Sequence, residues 1–192
     1  MLGLYGSEFY KRTSMMADIK KELRKNLDEY QWKEFFEEFQ NESPRAAVII
    51  SGAFLDSLLR DLICSFMIND IKKVNELLGD VDGSEAPLSS FSARIKTAYC
   101  LGLITKKEYD DLNLIRKIRN KFAHRSHGYS FENQEVIDWC NSLETPIVFK
   151  NILPDTLASY RDRYVFTVSM IVSQLGLRIL STQRKRLTIL KS

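Results

Sequence analysis

The sequence predicts an all-α fold, a single-domain bundle of six or seven helices. Three observations carry this. Eight glycines and four prolines in 192 residues are about half the usual share of turn-forming residues, so the chain turns seldom. Apolar residues recur at three- and four-residue intervals through most of its length. Helix-start and helix-stop signals then punctuate those stretches. An apolar share of 44% and a charged share of 28% are ordinary for a globular protein and exclude a disordered tail, a fibrous repeat or a disulfide scaffold.

The elements follow in order. Over residues 15–42, Ile19, Leu23, Leu27 and Tyr30 form one stripe, continued by Trp32, Phe35, Phe36 and Phe39. This predicts one long helix, or two with a bend at 26–28, as an N-terminal arm (1–42) ahead of the bundle (43–192). The aromatic stripe suits a core or a dimer interface. Ser43-Pro44 is a restart signal, a capping hydroxyl followed by proline at the first helical position. The helix it opens runs to about residue 67 and is apolar nearly all round, so it should be central. A short helix over 69–78 stops at Gly79, and an acidic loop fills 80–87. Another helix covers about 88–101 and ends at Gly102. Thr105 and Glu108 make a capping box for a helix reaching about His124, with Tyr109, Leu112, Ile115, Ile118 and Phe122 as its stripe. A shorter helix (132–143), a connector (144–154) and a final long helix (155–184) complete the chain.

Net charge is only +3, too little to announce a nucleic-acid binder. The three widely spaced cysteines, Cys64, Cys100 and Cys140, read as buried free thiols of a reducing cytoplasm. The most apolar runs, 46–55 and 171–180, fall far short of the ~18 residues of a spanning segment. The expectation is therefore a cytoplasmic protein with no membrane partner.

Chemistry concentrates in Arg119-Asn-Lys-Phe-Ala-His124. Imidazole titrates near neutrality and can move a proton. Guanidinium matches two phosphate oxygens, and Asn120, four residues before His124, shares its face and could orient the ring. The opposing reading is structural, because helix C-termini attract cations for their dipole. Arg119 and His124 are about 140° apart around the helix, so a site built from them needs two copies of the helix across a twofold axis, a homodimer. Asp56 and Arg60, at i and i+4 on an apolar helix, are either an intrahelical ion pair or, with Arg116, polar support for the Arg119 helix. His127 reads as a loop residue. With Glu132 and no nearby cysteine the two histidines do not complete a metal site, and no cofactor is expected. From Arg163 onward there is no acidic residue. Arg184, Lys185 and Arg186 could guide RNA or an acidic partner, or simply match a helix end. A helix-turn-helix about Gly102 is disfavoured, since its second helix would open on Glu108, Asp110 and Asp111, which repel phosphate.

Arg-Asn-x-Phe-Ala-His at 119–124 resembles the Arg-x4-His signature of the HEPN superfamily. The residues 87–96 (Pro-Leu-Ser-Ser-Phe-Ser-Ala-Arg-Ile-Lys), the Tyr99-x-Leu-Gly-Leu-Ile104 turn and the 109–116 segment resemble the mannitol-operon repressor (MtlR) family over about 45–180. The first resemblance implies a metal-independent endoribonuclease that leaves a 2′,3′-cyclic phosphate, with His124 as acid or base, Arg119 on phosphate and Asn120 orienting, in a toxin, stress or phage-defence setting. That reading would give the chain an RNA substrate and an antitoxin partner. The second implies a transcriptional regulator that acts through protein contacts, without catalysis. The nuclease is taken as the leading expectation and the regulator as its alternative.

Overall fold

The Ser43 hydroxyl accepts from the Ala46 amide at 3.2 Å, and Pro44, with no amide hydrogen to leave unpaired, opens helix α1 (Pro44–Phe66). The computed structural model describes residues 42–79, 86–124, 128–145, 159–182 and 186–189. Within them follow α2 (Ile71–Leu78), α3 (Phe91–Cys100), α4 (Lys106–His124), α5 (Gln134–Asn141) and α6 (Tyr160–Thr182), with no strand among the described residues. The contacts divide the chain into Met1–Asn41 and Glu42–Ser192, and the helices belong to the second unit, an all-α bundle. The aromatic stripe at Trp32–Phe39, most of the acidic loop and the 146–154 connector lie outside the described residues.

Helix α1 packs against α6, α4, α3 and α2. Its composition requires this, because Ala47, Val48, Leu55, Leu59, Leu62 and Ile63 are all fully buried and spread over an arc of about 160°, wider than one neighbouring helix covers. Helix α4 answers with Leu112, Ile115, Ile118 and Phe122, and α6 with Val168, Ile171, Val172 and Leu175. Burying each such side chain contributes about 1.5–3 kcal/mol. Helix α6 is long and apolar enough to cross a membrane by length and composition, at a mean hydropathy of 1.4. A third of that apolar stretch is buried, and α6 packs on α1. Helices α1 and α4 run antiparallel, Arg45 near the start of α1 donating to the Ala123 carbonyl at the end of α4 at 3.2 Å. Around that end Phe122, Tyr129, Phe131 and Tyr164 form a chain of ring contacts with centroids 5.0–5.5 Å apart. The sealed Tyr164 hydroxyl meets Ser51 Oγ at 2.8 Å, and burial raises its pKa.

Local chemistry sets the helix ends. The capping box forms as expected, Thr105 N–H donating to Glu108 Oε2 at 2.7 Å and Glu108 N–H to Thr105 Oγ1 at 3.3 Å. Helix α3 begins at Phe91 and not near 88, because Ser90 accepts from the Ala93 amide and serves as its cap. Gly79, at φ 79°, ends α2 where a side chain would be strained. Asp111, fully buried on α4, accepts from the Glu144 amide (2.7 Å), the Thr145 amide (3.0 Å) and the Thr145 hydroxyl (2.6 Å). It thereby ties the chain after α5 to α4. Burial raises its pKa, and these three donors partly offset that.

The cysteines correct one expectation. Cys140 is buried and Cys64 half-buried, but Cys100, the last residue of α3, is exposed. Burial pushes the Cys140 thiol up to about 12. In the native protein at pH 8, Cys100 should react with an aromatic disulfide reagent within the first phase, and Cys140 only after denaturant is added. Mass spectrometry of the labelled peptides reads this directly. Asp111→Ala strands two amides and a hydroxyl, each stranded group costing about 1–3 kcal/mol where it stays dry. The urea midpoint should fall clearly, and an unchanged midpoint would refute the clamp.

Candidate functional site

The C-terminal half of α4 brings the sequence-predicted residues onto one helix but not into one cluster. Arg116, Arg119 and Asn120 are half-buried, and His124, in the last turn, is exposed. Asn120 does not orient the imidazole. Its Oδ1 accepts from Arg119 Nη1 at 3.2 Å, because the long arginine folds back along its own helix. The aliphatic stem of Arg119 crosses α1 at Gly52, where an added Cβ would stand 2.8 Å from Arg119 Cγ. The Nε atoms of Arg116 and Arg119 are sealed and have no hydrogen-bond partner. His127 lies outside the described residues.

The expected Asp56–Arg60 pair is not formed. Asp56 points to α3, its Oδ1 2.9 Å from Arg94 Nη1, in a charge-to-charge approach without hydrogen-bond alignment. Burial raises the Asp56 carboxyl, and the Arg94 and Arg119 charges partly offset that. Arg60 turns the other way. It donates to the Gly79 carbonyl (3.2 Å) and to Asn75 Oδ1 (2.7 Å), so it caps the end of α2. Arg94 also donates to the Leu78 and Leu88 carbonyls at 2.9 and 3.0 Å. Sequence reasoning missed Arg94. The available signal was its place on the stripe of Phe91, Ile95 and Ala98, all buried, where a cation needs a partner. It also missed Arg178, which reaches back from α6 to Glu108 Oε2 at 2.7 Å. Arg186 is anchored, donating to Asn69 Oδ1 at 2.7 Å and to the Ser65 carbonyl at 3.4 Å. Arg184 and Lys185 lie outside the described residues.

One face of the first two turns of α4 is turned inward. Glu108 is 4% exposed and Asp111 is sealed, while the helix packs on α1, α3, α5 and α6. The Glu108 and Asp111 carboxylates are thus spent on bonds inside the bundle.

Comparison with known proteins places this geometry. The model of the family described as "Mannitol repressor" (MtlR) matches residues 34–174. The mannitol operon repressor of Escherichia coli strain K12 is 36% identical over 67 residues, covering 35% of this chain and 33% of that protein. The same protein of E. coli O6:H1 strain CFT073 matches equally. The alignment thus spans about a third of these curated relatives. A chain of the solved structure described as the X-ray structure of the MtlR-HPr complex from Escherichia coli superposes with a TM-score of 0.58 at 21% identity, covering 75% of this chain and 97% of that one, a likeness of fold.

These matches overturn the leading expectation. Family and fold both lead to the mannitol repressor and not to a HEPN ribonuclease, and the toxin and defence settings fall with it. The six-residue motif resembled one superfamily by its local spacing, whereas the match to MtlR extends over most of the chain.

The Asp56–Arg94 pair makes a measurable prediction. Arg94→Met leaves a partly buried carboxylate uncompensated and two carbonyls without a donor, and should cost about 3 kcal/mol at pH 7. Asp56 holds its proton to higher pH than an ordinary aspartate, and loss of Arg94 strengthens that tendency. Protonation removes the unpaired charge, so the deficit should shrink as pH falls toward 4. Urea titrations of both proteins across that range check the sign, and a deficit that grows on acidification would contradict it.

Proposed function

Because the chain belongs to the mannitol repressor (MtlR) family, we propose that it is a transcriptional regulator that acts by engaging a protein partner. The family match over 34–174 is the observation that carries this reading. The inward-facing acidic turn of α4 supports it, since the one segment spaced like a helix-turn-helix is spent on internal bonds to Thr105, Arg178, Glu144 and Thr145. The partner class follows from the structural neighbour, an MtlR bound to HPr. HPr, or a protein of that kind, is the partner proposed here.

Titration of the full chain with E. coli HPr tests the reading. Saturable heat in calorimetry and co-elution in gel filtration are expected, and neither depends on added RNA or metal. The elution volume of the chain alone tests the expected homodimer in the same run. No heat and separate elution at concentrations up to about 100 μM would place any affinity weaker than roughly −5.5 kcal/mol and remove HPr as the partner.

A further inference from the structure

Two cations of α4 have no ion-pairing carboxylate among the described residues. Arg116 and Arg119, three residues apart, are neighbours on the helix surface. Both are half-buried, and the Nε of each is sealed and unpartnered. Among the described residues no carboxylate forms an ion pair with either guanidinium. Arg119 finds only the neutral Asn120 oxygen, while Asp56, whose charge reaches it, is paired with Arg94. Adjacent like charges drawn partly out of water oppose folding. The fold accepts a second cost to keep one of them, for the stem of Arg119 fits only because position 52 carries no Cβ, and glycine inside a helix weakens it. A surface cation matched only to the helix dipole would not need the glycine.

We propose that Arg116 and Arg119, with Asn120 beside them, bind a small dianionic phosphate, free or as a monoester. Two guanidinium forks supply the charge and the planar donor pairs that phosphate oxygens take. Asn120 accepts from Arg119 through Oδ1, which fixes its amide so that Nδ2 is left to donate. The outer nitrogens of Arg116 are not among the sealed unpartnered atoms and make no bond within the described residues, so they are left for a ligand. Half-burial of the pair favours a small molecule over a polymer, since a nucleic-acid strand follows a groove lined by exposed cations. The site depends on no particular protein partner, so its test is separate from that of HPr binding.

The experiment uses the full chain at constant ionic strength with inorganic phosphate and glycerol 3-phosphate, and chloride as control. Both phosphates should raise the melting temperature and give saturable heat, and chloride should do neither. Arg116→Gln and Arg119→Gln should each weaken binding at least tenfold. Gly52→Ala, which keeps both charges but displaces the Arg119 stem, should weaken it too, and Lys73→Gln on α2 should leave it unchanged. If Arg119→Gln fails to fold, Arg116→Gln and Gly52→Ala carry the test. Equal stabilisation by chloride, or unaltered phosphate affinity in those two variants, overturns the proposal. A single-stranded oligonucleotide that binds more tightly than either phosphate and is lost in the same variants also overturns it, assigning the cations to nucleic acid.

Discussion

Helix α1 is too apolar to leave any broad side in water, and the bundle is the consequence. A helix with one stripe needs one neighbour. One whose sealed face, carrying Val48, Leu55, Leu58, Leu62 and Ile63, spans about 140° needs several, and α3, α4 and α6 wrap it. Interiors close-pack like crystals, so each neighbour must also match its shape. Gly52 is the clearest case, a notch in α1 that the Arg119 stem fills.

Enclosing α1 creates a second constraint, because its few polar groups are carried inward with it. Three of them find partners on three different elements. Ser51 meets Tyr164 of α6, Asp56 meets Arg94 of α3, and Arg60 caps α2 at Gly79. These contacts hold the elements in one arrangement. A buried ion pair need not raise stability over an apolar pair, yet removing one partner is costly, so such pairs penalise alternative packings. Asp111 and Glu108 do the same for α4, the first fastening the segment after α5 and the second drawing in Arg178 from α6.

The same economy explains why a short motif misled. Arginine, asparagine and histidine near a helix C-terminus can serve phosphate chemistry, dipole compensation or packing. Spacing alone does not separate these. Here the arginine stem packs on α1, the asparagine oxygen bonds the arginine and not the imidazole, and the histidine faces solvent, so the three do not form one catalytic set. The resemblance that extended over more of the chain proved the better guide, because a fold is specified by many positions and a motif by few.

What the sequence determined was whatever depends on neighbours a few residues away. The Ser43-Pro44 start, the Thr105–Glu108 box, the Gly79 stop and the central place of α1 all follow from local backbone chemistry and apolar periodicity. What only the tertiary structure decided was the pairing of charges. Asp56 has Arg60 four residues away, yet takes Arg94, 38 positions along, because packing on α3 shields that approach from water more than the helix surface does. A side chain's partner is chosen by burial and direction after the helices meet, and neither quantity exists in a linear sequence.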